Sequence, residues 1–60
     1  MGIRKGSKVK YIGEDNWAYT HNGIYEVAGY DEELDAWGVI ANNGEIYAVS
    51  ESDLEEVKGA

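Results

Sequence analysis

Alternating polar and apolar positions predict short β-strands rather than helices along most of this chain. Residues 8–11 and 25–27 alternate with the period of two that is typical of a half-buried strand. Residues 37–41 and 46–49 are rich in β-branched and aromatic side chains, which also favour strands. A fifth strand is predicted over residues 54–57. The pattern therefore predicts an all-β fold with five strands.

A tight hairpin is predicted between the third and fourth strands, because an Asn-Asn-Gly-Glu segment separates them. Gly44 either completes a two-residue type I′ turn or is the left-handed residue of a three-residue loop with a G1 bulge. We favour the bulged register because it gives one continuous apolar face, which a small domain needs. That register aligns two pairs of residues: Val39 with Tyr47, and Trp37 with Val49.

Irregular segments complete the order of elements. Residues 13–23 have no regular pattern and are predicted to form a long loop that ends in an Asn-Gly turn. Residues 50–53 have room for one 3₁₀ turn, with the Ser50 hydroxyl as its cap. With an acidic turn at residues 31–35, this is the order of an SH3-like five-stranded small barrel, in which the first and last strands lie side by side. An OB-like barrel is the alternative, although it normally needs a longer chain.

Length and composition narrow the possible function classes. A chain of 60 residues has room for one domain with a small core, predicted over residues 1–60 with its ordered part at about residues 5–57. The sequence has no cysteine and one histidine, which excludes disulfides, thiolate zinc sites and a cysteine nucleophile. No apolar run is long enough to span a membrane, and residues 1–10 lack a signal-peptide core. We expect a monomeric cytoplasmic protein that does not contact membranes.

The net charge of −7 is unevenly distributed along the chain. Four of the five basic residues lie in the first ten positions, whereas all twelve acidic residues follow Tyr11. So acidic a surface opposes nucleic-acid binding, which depends on lysine and arginine. We expect the basic residues to lie beside Glu55 and Glu56 of the last strand, because opposite charges on neighbouring strands stabilise a sheet. These basic residues are Arg4, Lys5, Lys8 and Lys10.

Four segments resemble small SH3-like proteins that are frequent in bacteriophage and Firmicute genomes and are mostly uncharacterised: KVKYI at 8–12, GIYEV at 23–27, NGEIY at 43–47 and LEEV at 54–57. This resemblance implies an SH3-like fold and a phage-encoded protein. Its motifs are strand patterns and turn glycines, so they imply no particular function. GSKVK at 6–10 together with LEEV also resembles the photosystem I subunit with an SH3 fold, whose basic character this chain lacks.

Peptide-binding SH3 domains of eukaryotes are matched only in part. Trp37 stands where that family has the tryptophan of its peptide groove, and Val49 stands where it has a core isoleucine. Ser50 replaces the groove proline, and Asp53 stands where the groove tyrosine is expected. Two walls of a polyproline site are therefore missing, and recognition of PxxP segments is not expected.

The sequence contains no clear catalytic or metal-binding constellation. His21 is the only side chain able to act as a base for a serine nucleophile, and it lies in the long loop. Three acids of the acidic turn alternate like the first ligands of an EF-hand, but Ala36 stands where that loop needs glycine and Asn42 where it needs glutamate. We therefore predict a protein that is not an enzyme and has no metal or cofactor, with a solvated acidic turn.

The binding hypothesis concerns aromatic residues that lie beside acids. Tyr11, Tyr25 and Tyr47 alternate with other strand positions and are predicted to be core. The other aromatics are expected to form one shallow surface, between the long loop and the acidic turn, that binds a lysine- or arginine-bearing segment of a partner protein. For Trp17, packing beneath its own loop is the alternative. The hypothetical site comprises Glu14, Asp15, Trp17, Tyr19, Tyr30, Asp31, Glu33, Asp35 and Trp37.

These features predict a small protein-interaction module whose partner is a protein or a basic peptide. Two alternative functions stay open. One is that of an acidic inhibitor, which imitates nucleic acid and occupies the basic cleft of a host protein, and the other is an enzyme of unrecognised type. Mimicry of this kind depends on charge alone, so its binding should collapse when salt screens the charges.

Overall fold

Residues 2–57 are described by a computed structural model and form an all-β structure, as the sequence predicts. The strands are β1 (Lys8–Tyr11), β2 (Ile24–Asp31), β3 (Ala36–Ile40), β4 (Ile46–Val49) and β5 (Leu54–Glu56), with one 3₁₀ helix at Glu51–Asp53. They form one antiparallel sheet in the order β4-β3-β2-β1-β5. Within residues 2–57 the edge strands β4 and β5 do not pair with each other, so the sheet is open. Met1 and residues 58–60 of the predicted domain lie outside the described residues.

The first and last strands lie side by side, as predicted. Lys10 lies opposite Glu55, and their side chains form an ion pair at 3.9 Å. Lys8 instead pairs with Glu26 of β2, at 3.4 Å. All four side chains are between 40% and 60% exposed, so solvent and salt screen both pairs and each contributes little to stability.

The cap of the 3₁₀ helix differs from the prediction. The Ser50 hydroxyl makes no capping hydrogen bond. Instead the backbone carbonyl of Ser50 accepts the N–H of Asp53 at 2.9 Å, which closes the turn. One 3₁₀ turn is already closed by this backbone bond between residues three apart, so it does not need the side-chain cap.

Strand β2 belongs to both halves of the sheet. Its first residues pair with β1, where Tyr25 lies opposite Val9, and its last residues pair with β3. Between these halves the register with β3 shifts, because Ala28 is an extra residue after Val27. Successive side chains of a strand alternate between faces, so one extra residue reverses the alternation. Tyr30 therefore shares the face of Val27, which it would not do in a regular strand.

The core is formed where the strands and the long loop meet. Val9, Val27 and Val39 have almost no exposed surface, and they come from β1, β2 and β3. Tyr11 is buried, as predicted, whereas Tyr25 and Tyr47 are only partly buried and pack against the core. The other buried members are Ala18, Tyr19, Ala41, Val49 and Leu54.

The predicted bulged register of the β3–β4 hairpin is confirmed. Trp37 lies opposite Val49, and Val39 lies opposite Tyr47. Gly44 has a φ of 85°, and its N–H donates to the Ala41 carbonyl at 3.0 Å. A tight turn followed by one left-handed glycine is the usual form of a three-residue hairpin loop.

We expect Gly44→Val to lower the free energy of unfolding by about 1 to 2 kcal/mol, because a β-branched residue is strained in the left-handed region. A Cβ at this position would meet no atom within 4 Å, so the loss reports the backbone alone. Urea unfolding measures it. Gly44→Asn is the control and should lose less, since asparagine tolerates this conformation. Equal losses for the two variants would contradict the proposed role of the glycine.

Candidate functional site

The acidic turn between β2 and β3 is ordered by its own side chains. One carboxylate oxygen of Asp31 accepts the backbone N–H of Glu33 at 3.0 Å and that of Leu34 at 3.3 Å. Asp35 has a φ of 51°, in the left-handed region that aspartate and asparagine tolerate best among residues other than glycine. Asp31 and Asp35 thus shape the turn, while Glu32 and Glu33 are exposed at its tip.

The bulge in β2 creates an aromatic pair beside this turn. Tyr30 lies opposite Trp37 on the same sheet face, with ring centroids 4.9 Å apart and an edge-to-face angle of 65°. Tyr30 is 46% exposed, while Trp37 is partly buried against the core. The indole N–H of Trp37 is buried and has no hydrogen-bond partner among residues 2–57. The Trp37 ring is therefore fixed against the core, whereas the Tyr30 ring is accessible to a ligand.

Negative charges act on the exposed ring of this pair, and one of them contacts it. The Tyr30 hydroxyl donates a hydrogen bond to Asp35, and this bond is the main cause of a raised pKa at Tyr30. Desolvation and the negative charges of Asp35, Glu32 and Glu51 raise that pKa further. Glu51 begins the 3₁₀ helix two residues after Val49, which lies opposite Trp37. The acidic turn and the 3₁₀ helix thus both contribute charge to one aromatic site.

We expect Asp35→Asn to return the pKa of Tyr30 towards its ordinary value of 10.0, because the neutral amide no longer disfavours the tyrosinate. In the parent chain the pKa of Tyr30 is higher in the folded state than in the unfolded state. The bond to Asp35 therefore contributes its full stability below pH 10, and this contribution is lost as the pH rises through the pKa of the folded state. The variant should lack that loss. At neutral pH its stability should change by no more than about 0.5 kcal/mol, since asparagine suits the left-handed conformation.

NMR titration of the tyrosine ring carbons resolves Tyr30 from the other four tyrosines, and urea unfolding gives the stability. Glu33→Gln is the matched control, because it removes one charge from the same turn without touching Tyr30. An unchanged Tyr30 pKa in Asp35→Asn would show that the hydrogen bond does not govern its titration.

A second aromatic pair lies on the same face of the sheet. Trp17 of the long loop packs edge-on against Tyr47, with ring centroids 5.1 Å apart and an angle of 76°. Trp17 is 72% exposed, so the alternative that it packs beneath its own loop is wrong. Tyr47 and Trp37 are diagonal neighbours on β4 and β3, close enough for large side chains to share contacts. Two aromatic pairs therefore lie along one face.

Tyr19 does not belong to this surface, and its assignment to the hypothetical site is corrected. It is 4% exposed, and its ring lies between Tyr11 and Tyr25 at centroid distances of 5.2 and 5.1 Å. Its hydroxyl donates to the Val39 carbonyl at 2.6 Å. Burial raises the pKa of this hydroxyl. The buried aromatic of the long loop is thus Tyr19, and this leaves Trp17 outside the core.

Glu14 and Asp15 are not joined to the acidic turn by any described hydrogen bond. The Glu14 carbonyl accepts from the Tyr11 hydroxyl at 3.0 Å, and a carboxylate oxygen of Asp15 accepts the backbone N–H of His21. His21 is exposed, with its Nδ1 2.8 Å from the Gly13 carbonyl. These contacts stabilise the long loop itself.

The structure thus divides the hypothetical site. Tyr30, Trp37 and the acidic turn form one cluster. Trp17 of the long loop packs against Tyr47 of β4, and Glu14 and Asp15 make their contacts within the loop. The sequence prediction includes Glu32 through the acidic turn at residues 31–35, but it misses Glu51 and Tyr47. The predicted pairing of Tyr47 with Val39 already placed Tyr47 beside Trp37, whereas no local signal pointed to Glu51.

The described residues carry neither a metal-ligand cluster nor a helix suited to a membrane. Among residues 2–57 no three His, Asp or Glu side chains converge as metal ligands. No helix in this part of the chain is long and apolar enough to cross a bilayer. Comparisons with protein-family models, with curated proteins and with solved structures find no match for this chain.

Proposed function

We propose that this chain is a non-enzymatic protein-interaction module that binds a basic segment of a partner protein at the Tyr30–Trp37 pair. The observation that carries the proposal is the bulge in β2, which turns Tyr30 onto the face of Trp37. Bulges frequently lie next to functional sites, where they redirect a side chain. Here the redirected ring is exposed, its hydroxyl is bonded to Asp35, and the charges of Glu32 and Glu51 act on it.

The proposed recognition combines two contacts with one cation. A lysine or arginine placed over an exposed aromatic ring gains about 0.5 to 1 kcal/mol, and nearby carboxylates attract the same charge. Surrounding charges mainly raise the rate of association. The net charge of −7 extends that attraction over the whole surface. Binding of this kind is weak, fast and sensitive to salt.

The proposal includes an SH3-like barrel as the fold. The strand order β4-β3-β2-β1-β5, the shared strand β2 and the 3₁₀ helix before β5 support it. We also propose that the protein is monomeric, cytoplasmic and phage-encoded. The high net charge supports a monomer, the absence of cysteine supports the cytoplasm, and the sequence resemblance supports a phage origin. Under this proposal, the acidic turn and the 3₁₀ helix flank the ligand.

The proposal is tested by titrating an arginine-rich peptide into the isotopically labelled protein and following the Trp37 indole N–H. We expect Tyr30→Leu to raise the Kd of the peptide by about twofold to fivefold, because the variant loses one exposed cation–π contact. Tyr30→Phe retains the ring and should bind like the parent chain. A loss of the same size in both variants, or a silent indole, would overturn the site.

A charge-matched pair of variants separates this function from nucleic-acid mimicry. Glu51→Gln removes a charge beside Tyr30, and Glu14→Gln removes one from the long loop. We expect Glu51→Gln to slow association and Glu14→Gln to have a smaller effect. Equal effects would favour diffuse charge, as an imitator of nucleic acid requires, and would contradict the proposed site.

A further inference from the structure

The two edges of the sheet differ in how they are protected. β5 has only three residues, two of them glutamates, and Glu55 is paired with Lys10. β4 consists of four uncharged residues, of which Ile46 is 57% exposed and Ala48 is also exposed. Short, charged edges resist pairing with another chain, whereas uncharged edges invite it. Among residues 2–57, β4 is therefore the edge open to an added strand.

The hydrogen-bond pattern identifies the free backbone groups of β4. The hairpin is closed by a bond from the Ala41 N–H to the Glu45 carbonyl, at 2.7 Å. In an antiparallel pair, bonded and non-bonded residues alternate, so Tyr47 and Val49 bond to β3. The N–H and C=O groups of Ile46 and Ala48 then point away from the sheet.

The pairing of β2 agrees with this assignment. The Val27 N–H donates to the Ser7 carbonyl at 2.9 Å, and the Val27 carbonyl accepts from Gly6 at 2.8 Å. Val27 therefore bonds towards β1, and its opposite residue Val39 bonds towards β4. The free edge of β4 thus has two donors and two acceptors at the spacing of a neighbouring strand.

The side chains around this edge favour an apolar strand. On the outer face, Ile46 lies over Gly38, where an added Cβ would come within 3.0 Å of the Ile46 side chain. On the inner face, the exposed ring of Trp17 packs against Tyr47. A strand added beside β4 would extend both faces, so β-branched or apolar residues suit its centre.

Charges at the ends of β4 favour a basic strand over a second copy that pairs in the register centred on Ala48. Glu45 precedes the strand and Glu51 follows it, and both are exposed. If a second copy paired its own β4 antiparallel, centred on Ala48, Glu45 of each copy would lie opposite Glu51 of the other. Like charges at opposite positions are destabilising. The same two glutamates attract a strand that has basic residues at its ends.

We propose that the free edge of β4 binds an extended segment of a partner protein as a sixth strand, with arginine or lysine at both ends and β-branched residues between them. This inference rests on the proposed function in one respect, namely that the partner is a protein. The site itself is separate from Tyr30 and Trp37, because it uses the backbone of Ile46 and Ala48.

The probe is the synthetic peptide Arg-Thr-Val-Thr-Val-Thr-Arg with blocked ends. At saturation it should slow hydrogen exchange of the Ile46 and Ala48 amides by about tenfold, the effect of a bond worth 1.4 kcal/mol. The same peptide with N-methyl groups on three consecutive central residues cannot pair along either edge and should give no protection. A peptide with glutamate ends should bind more weakly than the parent peptide. Equal protection by the methylated peptide would overturn the inference.

A pair of variants tests the same edge from the protein side. Ala48→Pro removes an outward N–H without removing a bond to β3, and proline is tolerated at such edge positions. We expect it to weaken peptide binding by about tenfold. Ala48→Thr retains the N–H, and its Kd for the peptide should be within about twofold of that of the parent chain, because substitutions of exposed residues usually have small effects. If circular dichroism shows that Ala48→Pro does not fold, the comparison of the parent peptide with the methylated peptide tests the inference instead.

Failure of this inference is distinguishable from failure of the proposed function. In Tyr30→Leu, protection of Ile46 and Ala48 by the parent peptide should persist. Its loss would overturn the edge site and leave the aromatic site standing. Conversely, protection of these amides without any change at the Trp37 indole supports the edge and removes the aromatic site. Sedimentation that depends on protein concentration, without peptide, would identify a second copy as the occupant and overturn the inference.

Discussion

Replacing Tyr19 with alanine is expected to destabilise the fold by about 3 to 5 kcal/mol, the usual cost of removing a large buried aromatic side chain. Tyr19 is the long loop's main contribution to the core, and its ring contacts both Tyr11 and Tyr25. A domain of this size has a free energy of unfolding near the low end of the usual range, about 5 kcal/mol. The variant should therefore retain only about 0 to 2 kcal/mol of stability, so that between a few per cent and about half of the molecules are unfolded at 25 °C.

Urea unfolding followed by circular dichroism measures this loss, and Tyr19→Phe is the control. Phenylalanine retains the ring contacts but loses the bond to the Val39 carbonyl, at a cost of about 1 kcal/mol. If the two variants lost equal stability, the hydroxyl rather than the ring would hold the loop. If Tyr19→Ala remained fully folded, the loop would not contribute to the core.

The same hydroxyl gives a pH dependence with a defined sign. Burial raises the pKa of Tyr19 above 10.0, so the folded state retains the proton after the unfolded state has lost it. Stability is therefore unaffected below pH 10 and falls as the pH rises through the folded-state pKa. Tyr19→Phe should show a smaller alkaline loss. An identical alkaline profile in parent and variant would mean that Tyr19 does not titrate with unfolding.

The sequence predicts the elements well because strand and turn signals are local. Alternation located β1, and the Asn-Asn-Gly-Glu segment together with the need for one apolar face determined the register of Val39 and Trp37. The sequence pattern predicts a shorter β2 than the structure has, because the strand runs from Ile24 to Asp31 through a glycine that the pattern treats as a boundary. Whether the sheet closes into a barrel depends on contacts between strands that are distant in the sequence, and the local alternation of polar and apolar residues does not predict these contacts.

The sequence points to Tyr30, Trp37 and the acidic turn, but it does not predict how they are arranged. The face of Tyr30 depends on the bulge at Ala28, and no turn residue marks that bulge in the sequence. The proximity of Glu51 depends on the pairing of Val49 with Trp37 across the hairpin. Which of Trp17 and Tyr19 enters the core depends on hydrogen bonds made by Asn16. In each of these three cases tertiary contacts determine the position of a side chain that the local sequence pattern does not predict.

We expect Asn16→Ala to destabilise the fold by about 2 kcal/mol, because it leaves two backbone donors without their acceptor. The Asn16 side-chain oxygen accepts the N–H groups of Ala18 and Tyr19, at 2.8 and 2.9 Å, and both residues are buried. Its amide nitrogen also donates to the Tyr11 hydroxyl at 3.1 Å. One side chain therefore bends the chain so that Tyr19 enters the core and Trp17 remains on the surface.

Urea unfolding gives the stability loss, and the NMR shift of the Trp17 indole reports whether its contact with Tyr47 survives. Asn16→Asp is the matched control, since a carboxylate still accepts both N–H groups but cannot donate to Tyr11. It should lose less than half as much as alanine and leave the Trp17 signal in place. If aspartate is as damaging as alanine, the bond to Tyr11 holds the loop instead. If alanine shifts neither quantity, the packing of Tyr19 alone is sufficient to direct the two aromatic side chains to opposite sides of the loop.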